Sequence, residues 1–196
     1  MDLWISPPLV LHGQTVDLVS LDSSHVDELE LIARDPRIWE FYLVDASKPD
    51  TFRKHYEKAF AERDAGREFP FVIFHKEQQR LIGSTRYLQM EQEHSKLEIG
   101  WTWLVPEFWH THVNAECKNL LLTHCFETLK TRRVQLITDE NNIRSRKAIA
   151  KIGATFEGVL RNDMTRENGT QRNTVVFSII DSEWPIRRPS SDATLI

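Results

Sequence analysis

LEIGWTWLVPEFWHTHVNAECK, residues 97–118, carries three local signals in succession. An alternating strand runs up to Pro106, a short polar loop follows, and an amphipathic helix begins near Val113 and Asn114. A strand–loop–helix unit of this kind aims backbone N–H groups and the positive end of a helix at whatever lies over the loop. It makes a cradle for phosphate where the loop backbone turns tightly. Glycine is the usual residue for such a turn, and here the two key places hold His110 and His112. Histidine tolerates the left-handed region better than most residues and keeps its N–H. Its imidazolium form also suits a phosphate.

Strict alternation puts Leu97, Ile99, Trp101, Trp103 and Val105 on one bulky face, to be packed against helices. The other face holds Glu98, Gly100, Thr102 and Leu104. A carboxylate on a central strand is costly unless solvated or paired. Burial would raise the Glu98 pKa and make it a proton acceptor near neutrality. At a sheet edge the same residue would simply sit in water.

Outward from this segment, Val10–Leu21 reads as a first strand containing the turn pair His12-Gly13. Asp22 to Ser24 offers N-cap residues for a short helix over Val26–Ala33, ended by Asp35-Pro36. Lys48–Ala65 is a second helix closed by Gly66. The aromatic loop between them, with Trp39, Phe41 and Tyr42, is a candidate pocket wall together with Tyr87. Phe69–His75, Arg80–Met90 and Lys96–Val105 form an antiparallel meander. A helix over Asn114–Lys130, a strand over Arg133–Thr138 and a helix over Asn142–Ile152 with Gly153 as its αL cap follow. Asn168-Gly169 joins strands 155–165 and 171–180 into a hairpin. The fold class is α+β: a mixed, mostly antiparallel central sheet with helices on both faces. Residues 1–184 are expected to form one domain, with a loose tail over 185–196.

The chain has 196 residues, 40% hydrophobic and 28% charged, as an ordinary globular protein does. A net charge of −4 argues against a nucleic-acid coat. Six tryptophans are read mainly as core or groove wall. Cys117 and Cys125 fall on one helix about 12 Å apart, too far for a disulfide, and fit a reducing compartment. The N-terminal MDLWISPPLV lacks the basic start of a signal peptide. No apolar run approaches the roughly 20 residues of a membrane span, so a cytoplasmic protein with no membrane partner is expected.

Two further clusters bear on chemistry. In DENNIRSRKA, residues 139–148, Asn142 is a natural N-cap with Ser145 three residues on. The helix then carries Arg144, Arg146, Lys147 and Lys151 and no acid. That is either a solvated basic face or a partner for phosphates. His110-Thr111-His112 with Glu116 and Cys117 offers metal-binding residue types, but no later cluster completes a set, and no metal is expected.

Taken with VNAECKNLLLTHCFE, DENNIRSRKAIAKIGATFEGVLR and NGTQRNTVVFSII, the opening motif resembles the GNAT acyl-CoA N-acyltransferase superfamily. The branch is that of the RimJ/RimL-type ribosomal-protein N-terminal acetyltransferases, and the likeness runs from about Leu9 to Trp184. The resemblance implies acetyl transfer from acetyl-CoA, as co-substrate, to a primary amine of a protein N-terminus or small molecule. It implies that the strand at Trp103, Leu104 and Val105 parts from its neighbour and receives the pantetheine arm. His110, Thr111, His112, Val113 and Asn114 would then receive the pyrophosphate, and Asn142 the cofactor arm. Glu98 matches the place of the base, and Ser145, or a water near it, would protonate the leaving thiolate. Lys118 and the basic residues after Asn142 are candidates for the adenosine phosphates. Two matters stay open: the oligomeric state, a homodimer among the options, and a non-catalytic binding or regulatory module, suggested by histidine in place of the loop glycines.

Overall fold

The computed structural model describes residues 3–187. Among them the strands form one eight-stranded sheet in the order β1-β2-β3-β4-β5-β6-β8-β7. The strands are β1 (Val10–His12), β2 (Val16–Ser20), β3 (Phe69–His75), β4 (Arg80–Glu91), β5 (Lys96–Leu104), β6 (Arg133–Asp139), β7 (Thr155–Thr165) and β8 (Gln171–Ile180). The helices are α1 (Val26–Ile32), α2 (Pro49–Asp64), α3 (Val113–Thr123), α4 (Ile143–Lys151) and α5 (Trp184–Arg187). Only β5 and β6 pair in parallel, and every other neighbouring pair is antiparallel. The α+β class expected from the sequence therefore holds.

Local sequence accounts for most boundaries. Asp22 accepts from the Ser24 N–H, and His25 reaches back to the Asp22 N–H, so the two cap the approach to α1 reciprocally. Pro49 opens α2, and Gly66, at φ +72°, ends it. The hairpin β7–β8 spans the residues anticipated from its Asn-Gly turn.

Two expectations need correction. Val10–Leu21 is two strands, because the His12-Gly13 pair turns the chain and lets β1 fold back on β2. The helix after the loop is α-helical only to Thr123 and continues as a π turn over His124–Thr128. Trp184, the last residue of the expected domain, is buried and stacks on Phe126 at 5.2 Å, at the head of a helical turn. The rest of the tail, residues 188–196, lies outside the described residues.

The two faces of β5 also differ from strict alternation. Trp101 adopts φ +48°, and the β4–β5 register slips between Ser84 and Arg86. This bulge inverts the side-chain order beyond it. Ile99 lies opposite Tyr87, whose hydroxyl donates to the Leu121 carbonyl of α3. Trp103, beyond the bulge, instead donates through Nε1 to the Tyr56 hydroxyl of α2 at 3.2 Å. Thr102 faces α3, where Lys118 reaches it. One bulky face is thus shared between the two sides of the sheet.

Candidate active site

β5 and β6 pair only over Lys96–Glu98 with Arg133–Gln135, and then part. Past that point β5 offers an unpaired edge. The Val105 N–H donates to the Ile82 carbonyl, so β5 beside it still faces β4. The carbonyls of Thr102 and Leu104 point the other way, accepting from the Tyr42 hydroxyl at 2.6 Å and from Trp109 Nε1 at 2.9 Å. In an extended strand a residue's N–H and C=O share an edge, so the Leu104 N–H faces the gap as well. A chain with amide groups of its own can add to that edge as a strand would.

The loop into α3 stands at the open end of this gap. His110 has φ +64°, the left-handed conformation for which glycine is the usual choice. Thr111 Oγ1 donates to the Phe108 carbonyl and accepts from the Val113 N–H, which holds the turn. The N–H groups of His110, Thr111 and His112 have no acceptor among the described residues. They stand at the positive end of α3, the setting that favours an anion.

His112 is placed differently from the expectation. It lies in the α-region, needs no glycine, and its ring is turned back to Thr15, with Nε2 2.8 Å from the hydroxyl. Glu116 works beside it, accepting from the Thr15 N–H at 2.8 Å. A Cβ on Gly13 would come within 2.3 Å of that carboxylate and within 2.5 Å of the Val16 carbonyl oxygen, and the backbone contact restricts this position of the β1–β2 turn to glycine. The α3 terminus is anchored to the sheet by these contacts.

Glu98 marks the closed end of the gap. It is 2% exposed, and Oε2 accepts from Gln135 Nε2 on β6 at 3.1 Å. Burial pushes its pKa up to about 7, partly offset by the Gln135 hydrogen bond and the Arg172 and Lys118 cations. Glu98 borders an open cavity of about 460 Å³, whose walls include Gln89, Gln135, Glu157, Asp163 and Met164. Arg133 also lines it and is ion-paired with Glu157, leaving Glu98 and Asp163 as its other acids. Of the aromatics anticipated as pocket wall, Tyr42 reaches β5, whereas Trp39 and Tyr87 are core residues, the latter beneath α3.

α4 closes the other side. Asn142 Oδ1 accepts from the Ser145 N–H at 2.9 Å, which caps the helix and leaves the Asn142 amide nitrogen to donate. The Ser145 hydroxyl has no partner among the described residues. Arg144 stacks its guanidinium on Trp109, 3.8 Å from the ring centroid, beside the α3 loop. Arg146 is instead bound to the Glu140 carbonyl.

A model of the acetyltransferase (GNAT) domain matches residues 16–155, most of the architecture just described. The chain belongs to the GNAT acetyltransferase family. It is 27% identical over 169 residues to the "Putative ribosomal N-acetyltransferase YdaF" of Bacillus subtilis (strain 168), covering 83% of this chain and 88% of YdaF. It is 31% identical over 108 residues to the "Uncharacterized N-acetyltransferase YoaA" of the same organism, covering 55% of this chain and about 60% of the length of YoaA. Among solved structures, a "putative acetyltransferase" from T. thermophilus superposes with a TM-score of 0.83 at 32% identity, covering 94% of this chain and 95% of that one.

Within this GNAT frame, Leu104, His110, Thr111, His112, Asn142 and Ser145 surround the open end and sides of one gap, and Glu98 its closed end. Trp103 and Val105 sit on the same strand, but the Val105 N–H is spent on β4 and the Trp103 side chain on α2. Val113 is core, and its N–H is held by Thr111. Asn114 follows in the first turn of α3. Lys118, expected at phosphates, is buried beneath β5 instead. Sequence reading missed Gln135, Arg144 as the partner of Trp109, and the anchoring role of Glu116. The only available signal was Glu116 in the first turn of a helix that begins in a loop.

Proposed function

We propose that this protein transfers an acetyl group from acetyl-CoA to a primary amine, either a protein N-terminus or a small amine. Supporting this is the gap between β5 and β6, which runs from unpartnered amides at the α3 terminus to a buried carboxylate. In this reading the pyrophosphate rests on the amides of His110, Thr111 and His112, with Arg144 alongside. The pantetheine arm pairs with the Leu104 edge and the Asn142 amide. An arriving ammonium gives a proton to Glu98, and its freed lone pair attacks the thioester carbonyl. The C–S bond breaks, leaving N-acetyl product and a thiolate, with Ser145 placed to relay a proton to the sulfur.

Glu98 and Asp163 on the cavity wall, with the likeness to YdaF, favour a cationic amine as acceptor. We place the reaction in the cytoplasm, carried by residues 1–184 as one unit, with a homodimer as the assembly to look for. The non-catalytic alternative rested on the histidines of the loop. Since His110 takes the glycine-like conformation and His112 does not need it, that ground is weakened.

Melting curves with acetyl-CoA test the reading, paired with thiol release in the presence of peptides bearing free N-termini and of small amines. A ligand at 100 times its Kd stabilises the native state by about 2.7 kcal/mol. We expect a clear rise in Tm and amine-dependent thiol release. No shift at millimolar acetyl-CoA would overturn the reading.

A further inference from the structure

We propose that Lys118 is the acid that protonates the coenzyme A thiolate as it leaves, a role that rests on the acetyl-transfer reading above. Lys118 lies on the buried side of α3, is 6% exposed, and directs Nζ to the Thr102 hydroxyl at 2.5 Å. That hydroxyl is shared with Thr85, 2.7 Å away on β4. No carboxylate among the described residues lies within ion-pair distance of the ammonium. A buried cation whose hydrogen-bond partner is a neutral hydroxyl is unfavourable, because the Coulombic pull of Glu98 offsets only part of its lost hydration. Such a group is explained when the native partner is an anion that arrives with substrate.

Position identifies that anion. Thr102 belongs to the unpaired edge of β5, one residue beyond the bulge and two before Leu104. It stands between the phosphate end of the gap and Glu98. The thioester must lie near Glu98 for the amine to reach both, so the sulfur leaves close to Thr102 and the ammonium beneath it.

The groups bearing on Lys118 are Glu98 of β5 and Cys117 of its own helix. Cys117 is neutral, since burial pushes its thiol up to about 12. Burial pulls Lys118 down to about 8, close to the range of a thiol and well suited to giving it a proton. A serine hydroxyl is too weak an acid to be the final source, so Ser145 serves at most as a relay. Protons balance as follows. The ammonium substrate loses one proton to Glu98 before attack and a second as the amide forms. Lys118 gives one to sulfur and is recharged by that second proton. One proton is released to solvent per turnover.

The first arm of the test needs no acceptor amine. Coenzyme A is bound to the protein and the ultraviolet absorbance of its thiolate is followed against pH, in the parent, Lys118→Met and Lys118→Arg. Melting curves with coenzyme A establish that each protein is folded and loaded. In the parent the thiol should ionise at least about one pH unit lower than in Lys118→Met, as expected for a cation within a few ångströms. Arginine keeps the charge and should retain that shift. With a peptide acceptor that the parent turns over, both variants should lose about 100-fold in kcat with little change in KM, because neither side chain can release a proton. The same thiol titration in the parent and in loaded Lys118→Met would overturn the proposal while leaving acetyl-CoA binding intact. Absence of binding by the parent would instead overturn the functional reading, and this one with it.

Discussion

Glu98 shows how one side chain links stability to chemistry. Its pKa rises from 4.5 to about 7 because burial disfavours the charged form. Between these values the folded protein keeps a proton that the unfolded chain releases, so stability falls as pH rises through this window. Glu98→Gln removes the penalty. Urea denaturation should find the variant more stable than the parent at pH 8, by about 1 to 3 kcal/mol, and nearly equal at pH 4. Its acetyl transfer should drop about 100-fold or more, and the parent's rate should climb through pH 7 as the carboxylate ionises. Residues such as Glu98 and His110 were legible in the sequence because an acid in an apolar strand, or a histidine at a glycine position, breaks a local rule. Lys118 broke one too, since it falls in the apolar stripe with Leu121, Leu122 and Cys125. Its basic type suggested phosphates, but helical spacing sends it inward.

Among the elements, α4 depends most visibly on one cap. Asn142 supplies its only side-chain cap bond, on a helix whose sole fully buried residue is Ile149. Asn142→Ala should cost about 1 kcal/mol in chemical denaturation. It should also weaken acetyl-CoA binding several-fold by calorimetry, because the same amide borders the gap. The hairpin β7–β8 and the meander were readable from turn residues and alternation. The bulge at Trp101 was not. A bulge is a property of two strands in register, and β5 alone reads as unbroken alternation. That is why Ile99 was placed on one face with the tryptophans of β5, when Trp101, against His55, and Trp103 belong with α2.

Across the whole molecule the sheet works as two halves joined at a short parallel seam. β1 to β5 carry α1 and α2 on one side and α3 on the other. β6, β8 and β7 leave one face uncovered, with Gln135, Ile137, Thr174 and Val176 turned to the cavity that contains Glu98. Asp139, at the end of β6, is buried and ties that strand to Arg166 and Arg172 of the distal hairpin. The hairpin turn reaches back to the aromatic loop, where the Glu167 N–H donates to the Leu43 carbonyl at 2.8 Å and bridges the two halves. Overall order was legible because each element announces itself locally. The bridge and the cavity arise from contacts between residues far apart in the chain, and no local pattern encodes them. The central claim is that the parted strands hold acetyl-CoA. A crystal structure with the cofactor soaked in tests it most directly. Density should run from the His110 amide, past the Leu104 N–H, to a thioester between Glu98 and Thr102. A loaded crystal in which the gap is closed and the nucleotide lies elsewhere would contradict it.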